Sequence, residues 1–375
     1  MKIGILTYHR AHNYGAYLQA CSLVQRLNRE GDFEAEIIDF NMPCEEKFYN
    51  KVSSWSLPEK ARHFRTYRFL STKSKAFKRG LSDDIMIKSK DRLCSDDLES
   101  FQKFVRGKYD VIIAGSDEIW RTKTIRGFPN AYWLCGDVGA RKFSYAASSR
   151  EDFSSFDDNK KKQICDLISE FELVSVRDKI TYDAFRSVFT GLPEMTINCD
   201  PSFLSSFELP DSNIHDVLKG KAKLDINKKS VIVMLDNREA ARNIYTQLAD
   251  YYNLICVYNS YPGFVSVADL TPKEWLMCID SADFVISSFF HGCCFSIVRN
   301  TPFIALDTPG KTSKLSFLLE GSVLDGRYVK YDPAIRFKEL IENNLNTNNF
   351  QTFVDKQKKP FERFLDRLRN GDKQN

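Results

Sequence analysis

Residues 2–40 read KIGILTYHRAHNYGAYLQACSLVQRLNREGDFEAEIIDF. The run 2–7 is short and apolar, as a buried strand is. Residues 9–15 form a polar loop, and 16–28 place apolar side chains at helical spacing until Gly31 closes the helix. Residues 34–40 return as a strand, with Asp39 near its end. Strand, helix and strand in so short a span make a β-α-β unit, which favours a parallel sheet with a right-handed crossover.

The same alternation continues outward. Residues 109–114 are a strand, apolar but for Asp110, that stops at Gly115-Ser116-Asp117-Glu118. Residues 142–147 form another strand, 158–169 a helix, and 173–176 a strand that runs into Arg177-Asp178. Cys199-Asp200-Pro201 marks a break, and the polar stretch 211–229 reads as the crossing between domains. Alternation then restarts. Strands are predicted at 230–235, 254–258, 283–286 and 303–306, with helices at 238–251, 272–281 and 311–319. Two successive sets predict an α/β chain of two Rossmann-like, doubly wound domains facing a cleft, 1–207 and 208–375. The amphipathic segment 353–369 is expected to be a helix that packs back on the body, on the N-terminal domain. In such sheets ligands bind beyond the C-terminal ends of strands, where the polar turns named above fall.

Composition narrows the class. A chain of 375 residues with 43% hydrophobic and 13% aromatic residues is globular, and long enough for two domains. A net charge of +4 is smaller than nucleic-acid binding calls for. The ten cysteines show no C-x-x-C pair, and no histidine or carboxylate cluster has metal-ligand spacing, so neither a metal nor a disulfide framework is expected. The N-terminus lacks the long apolar stretch of a signal peptide, and no run is long enough to span a bilayer. A cytoplasmic location is expected, with most cysteines acting as small buried hydrophobes.

Residues 283–298, DFVISSFFHGCCFSIV, run from a strand through Ser287 and Ser288 into a helix expected over 293–298. His291 then stands just before a helix N-terminus, where N–H groups at Gly292 and Cys293 and the helix dipole attract an anion. An imidazole there can also give or take a proton near neutral pH. The other reading is a histidine that only caps or packs.

The loop after the first strand carries His9, Asn13, Tyr14 and Gly15 without the glycine spacing of a dinucleotide fingerprint. Asn13 and Tyr14 suit the hydroxyls of a saccharide, and Gly15 a tight turn; Asn13 equally suits a helix cap. Ser116, Asp117 and Trp120 join a carboxylate to an indole, as a sugar acceptor needs, and Asp117 could act as a base toward a hydroxyl. Alternatively Asp117 caps a helix and Trp120 is core. Arg177, directly after a strand, presents a planar fork to a carboxylate or phosphate, or else pairs with a neighbouring acid. Residues 58–80 set Lys60, Arg62, Arg65, Arg68, Lys73, Lys75, Lys78 and Arg79 against one acid, Glu59, with aromatics between them. That pattern reads as a solvated helix packing through its aromatics, or as a basic amphipathic helix for an anionic lipid or lipid diphosphate.

Taken in order, these pieces resemble the polysaccharide pyruvyl transferase family. The resemblance is carried by Tyr8-His9-Arg10 with Asn13-Tyr14-Gly15-Ala16, by 109–120 (YDVIIAGSDEIW), by Ser144 to Ser148, Ser175-Val176-Arg177-Asp178 and Asp200-Pro201, and by Ser288-Phe289-Phe290-His291-Gly292, Phe295-Ser296 and Pro302-Phe303. It implies a glycosyltransferase-B-type fold with the acceptor on the N-terminal and the donor on the C-terminal domain. It implies transfer of pyruvate from phosphoenolpyruvate, a co-substrate with no further cofactor, to two hydroxyls of one sugar in a surface polysaccharide or its lipid-linked precursor. His291 takes the family histidine's place as general acid, and Arg177 a place gripping phosphoenolpyruvate with Ser288 and the helix N-terminus at Gly292 and Cys293. Asp117 is the second candidate catalytic group. His9, Asn13, Tyr14, Gly15, Ser116 and Trp120 fall on the acceptor side. Many members carry a glutamine where Glu118 stands. One branch has an arginine two places before the histidine, where this chain has Phe289, so Lys311 and Lys314 are the candidates for that cation. A nucleotide-sugar glycosyltransferase and a non-catalytic carbohydrate-binding protein are the other readings, and a location at the inner face of the membrane fits the basic stretch.

Overall fold

The structure, a computed structural model, describes residues 1–309 and 314–371. The chain forms two compact units. One comprises residues 1–51, 84–206 and those from 357 onward; the other comprises 52–83 and 207–356. The division is therefore not linear in sequence.

In the first unit the strands are β1 (Lys2–Leu6), β2 (Glu34–Ile37), a separate short pair β3 (Phe40–Asn41) and β4 (Leu93–Cys94), then β5 (Val111–Ala114), β6 (Arg141–Ala147), β7 (Leu173–Val176) and β8 (Met195–Ile197). The main sheet is parallel, in the order β2-β1-β5-β6-β7-β8. The second unit holds β9 (Lys229–Met234), β10 (Tyr252–Cys256), β11 (Val265–Ser266), β12 (Phe284–Ser287), β13 (Phe303–Asp307) and β14 (Tyr328–Lys330). These form a parallel sheet in the order β11-β10-β9-β12-β13-β14. The central strands Val111–Ala114 and Phe284–Ser287 are buried along their whole length. Helices cover both faces of such strands, so they read as continuous apolar runs without alternation. Strands β8, β11 and β14 escape sequence reading because two or three residues carry no period.

Strand order reverses between β1 and β5 in the first unit and between β9 and β12 in the second. At each reversal the connections leave in opposite directions, and the strand C-termini there border the crevice in which doubly wound sheets bind ligands. The sequence turns at 115–118 and 287–292 lie at these two places.

Two segments are placed by long-range packing. Residues 52–83 belong to the second unit as the helices Leu57–Arg62 and Phe64–Gly80, broken at His63. Arg79 there pairs with Asp269 at 2.6 Å. The helix Phe350–Asn370 sets Phe361 and Phe364 edge-on against Tyr145, with ring centroids 5.5 and 4.8 Å apart, and pairs Arg363 with Glu194 at 2.6 Å. Its residues from 357 thus lie on the first unit. No helix among the described residues is long and apolar enough to cross a membrane.

Candidate active site

In the second unit the helix runs Phe290–Val298, three residues earlier than its spacing predicts. His291 is therefore inside the first turn, half-buried, with its ring 5.5 Å from Phe290 and nearly perpendicular to it. Phe289 is the N-cap, extended and without a side-chain cap. Its own N–H donates to Ser287 Oγ at 3.0 Å. Gly292 lets this turn sit down on the sheet: a Cβ there would stand 2.5 Å from Ser287 Oγ and 2.8 Å from Met234 Cε. The N–H of Cys293 donates to Phe289 O at 3.2 Å. Burial pushes the Cys293 thiol up to about 12. Cys293 thus offers a ligand neither a backbone donor nor a thiolate, and its expected donor contact is withdrawn.

Neighbouring strand ends add polar groups. Ser288 donates its N–H to Met234 O at 2.9 Å and its hydroxyl to Asp236 Oδ1 at 3.3 Å. Thr308 Oγ1 donates to the same oxygen at 3.4 Å. Asp236, Ser288 and Thr308 follow β9, β12 and β13, so one carboxylate spans three strand ends around the reversal.

In the first unit the turn after β5 is tightly determined. Gly115 has φ +116°, and a Cβ on it would lie 2.5 Å from Tyr145 O. Thr7 Oγ1 donates to Ser116 O at 2.9 Å across the reversal, while buried Ser116 gives its own hydroxyl to Ala146 O at 3.0 Å. Asp117 has φ +81°, a left-handed conformation that costs a non-glycine residue and clusters at functional sites. Its Oδ1 accepts the Glu118 N–H at 2.9 Å and lies 3.7 Å from Arg177 Nη2. Arg177 Nη1 donates to Asp200 Oδ2 at 2.9 Å. Burial opposes the Arg177 charge, but the Asp200 and Asp117 carboxylates outweigh it and hold the proton on.

Several expected contacts are overturned. Arg177 is only 9% exposed and is the counter-ion of two acids, so it is not poised to grip a donor. His9 is fully buried, with Nε2 3.1 Å from Asp39 Oδ1 and Nδ1 3.2 Å from Thr7 O. Burial pushes the Asp39 carboxyl up, but hydrogen bonds from His9, Arg10 and Lys88 hold it far below the usual carboxylate range. Tyr14 is buried within the helix Tyr14–Asn28, and Asn13 caps that helix, accepting from the N–H of Gly15 at 3.1 Å. Trp120 is fully enclosed by Trp133, Phe171 and Phe185 at 5.6–5.8 Å, so it is core and offers no face to a sugar. Ser116 is likewise inaccessible. Asp117 remains partly exposed, beside Glu118, which pairs with Arg121 at 3.1 Å and Arg150 at 3.4 Å.

The family model described as polysaccharide pyruvyl transferase matches residues 13–309. The chain belongs to the polysaccharide pyruvyl transferase family. Asp117, His291 and the strand reversal of the second unit fall inside the matched span. No curated protein matches the chain in sequence. Among solved structures it is similar to UDP-GlcNAc 2-epimerase from Neisseria meningitidis bound to UDP-GlcNAc, at 9% identity, TM-score 0.51, and 98% and 100% coverage of the two chains. It is also similar to the S. aureus MnaA-UDP co-structure, at 12% identity, TM-score 0.50, and 97% and 96% coverage. Identities this low show the fold alone, which is of the glycosyltransferase-B type.

Lys311 lies outside the described residues. Lys314 begins the helix Lys314–Leu319 and holds its Nζ 5.9 Å from the Phe290 ring centre. Lys73, which the sequence places only in the basic stretch 58–80, is turned toward this region. It comes from the helix Phe64–Gly80 and places Nζ 3.5 Å over the Tyr258 ring, and Tyr258 meets Phe289 at 4.6 Å with the rings tilted by 44°. Burial lowers its pKa to about 7. No cluster among the described residues could hold a metal ion.

Proposed function

We propose that the protein moves pyruvate from phosphoenolpyruvate onto two hydroxyls of one sugar, forming a cyclic ketal, at the cytoplasmic face of polysaccharide assembly. Family membership supports transfer of pyruvate to a saccharide in general. The observation that carries the reading is the half-buried imidazole of His291 in the first turn of a helix at the strand reversal of the second unit. A helix N-terminus favours the donor's carboxylate or phosphate, and an imidazole within it supplies the proton that an enol ester needs.

In this reading the second unit takes the donor. The Phe290–Gly292 turn and Lys314 surround its negative charge, while the Ser288 hydroxyl is taken up by Asp236. His291 protonates C3 of the enol ester, making C2 electrophilic. One sugar hydroxyl adds to C2 and gives its proton up to solvent. The C2–O bond to phosphate then breaks, inorganic phosphate leaves with its electron pair, and the second hydroxyl closes the ring as its proton passes to phosphate or solvent. The balance is phosphoenolpyruvate plus a diol giving a ketal plus phosphate. Arg177 acts through Asp117: with Asp200 it fixes that carboxylate and does not touch the donor.

A thermal-shift comparison separates this from a nucleotide-sugar enzyme. Phosphoenolpyruvate should raise the melting temperature and UDP-GlcNAc should not. The reverse pattern would move the protein to the glycosyltransferase reading.

A further inference from the structure

The helix Phe64–Gly80 borders a groove of about 550 Å³ that lies wholly within the second unit. Arg65, Arg68 and Thr72 line it from one face of the helix, as spacings of three and four residues dictate. Phe64, which also lines the groove, is 58% exposed, and Leu57 on the preceding helix is 82% exposed. The buried side of the same helix, through Ala76 and Phe77, holds it on the unit.

Charge in the groove is one-sided. Asp269 is neutralised by Arg79 at 2.6 Å, and Lys221 by Glu274 at 2.5 Å. Arg65 and Arg68 are exposed and have no carboxylate partner among the described residues. At the groove wall Ser266 Oγ is buried and makes no hydrogen bond. Two guanidinium forks, an unused hydroxyl and a projecting phenyl ring match a phosphodiester headgroup at the boundary of an apolar phase. A purely solvated helix would not need the exposed Leu57 and Phe64 beside those cations.

We propose that this groove binds the phosphate headgroup of an anionic phospholipid, making residues 57–72 the surface by which the protein docks on a membrane. Phosphate oxygens sit on Arg65 and Arg68, while Phe64 and Leu57 enter the interfacial layer. Docking of this kind strengthens with anionic lipid and weakens with salt. The inference is independent of the pyruvyl-transfer reading, since none of these residues is assigned to donor or acceptor.

Vesicle co-sedimentation of the full chain tests it. The protein should pellet with vesicles containing phosphatidylglycerol, remain in solution with phosphatidylcholine alone, and be released by high salt. The R65Q/R68Q double variant should partition roughly 30-fold less, the usual worth of two basic residues at an anionic surface. F64S should lower partition further at unchanged salt dependence. Circular dichroism and melting temperature should match wild type, because the altered side chains are exposed. Equal pelleting with both lipids, or unchanged partition of the double variant, would overturn the proposal. So would soluble glycerol 1-phosphate binding as tightly as the vesicles, which would make the groove a small-molecule phosphate site.

Discussion

An imidazole in the first turn of a helix has a fixed relation to the backbone N–H groups around it, so an anion held there meets the ring at close range. His291 has that relation. H291A should lower turnover by about two to four orders of magnitude, the span of one acid–base group, and leave the melting temperature nearly unchanged because the ring is only half-buried. Near-wild-type turnover would take His291 out of the chemistry. Arg177 should behave differently. Removing its charge takes the guanidinium from beside the fully buried Asp200, so R177M should destabilise the first unit by about 3–5 kcal/mol in denaturant titration. A stable R177M protein with weakened phosphoenolpyruvate binding would restore the donor-gripping role. His291 was legible because an apolar strand ending in two serines announces where the chain leaves the sheet. For Arg177, pairing with an acid was one of two sequence readings, and its partner was not legible, since its main counter-ion Asp200 lies 23 residues further on.

At the scale of elements, the helix Phe64–Gly80 shows most clearly what local pattern omits. Its composition predicts an amphipathic basic helix, and that is what forms. Nothing local reveals that Lys73 is turned inward to Tyr258, 185 residues away. Burial holds its pKa near about 7, against about 10.4 in an unfolded chain. Between those values the unfolded chain binds a proton that the folded chain does not, so stability from this site rises with pH. It is lost as pH falls through the window and levels off below it. The stability of K73M relative to wild type should therefore decline steadily between pH 7 and pH 10, by chemical denaturation at each pH. A difference that does not change with pH would mean that Lys73 keeps an ordinary pKa in the fold. Trp120 and Tyr14 teach the same lesson in reverse. Each stands beside a polar turn, but one residue of helical or loop phase decides whether a ring faces a ligand or the core. Here both face the core.

For the whole molecule, strand alternation was enough to foresee two parallel, doubly wound sheets, because fully buried runs rich in Val and Ile at 111–114, 231–234 and 284–287 have few other uses. The assignment of segments to units was less accessible, since 52–83 joins the second unit through contacts with residues far along the chain. Both strand reversals fall at turns that sequence had marked, one bearing Asp117 and the other His291. The intact protein should be incubated with phosphoenolpyruvate and a panel of synthetic galactosides, glucosides and mannosides, and both phosphate release and product mass followed. The prediction is acceptor-dependent phosphate release with one saccharide gaining the mass of pyruvate less one water. Absence of that product with every acceptor, alongside turnover of a nucleotide sugar by the same preparation, would contradict it.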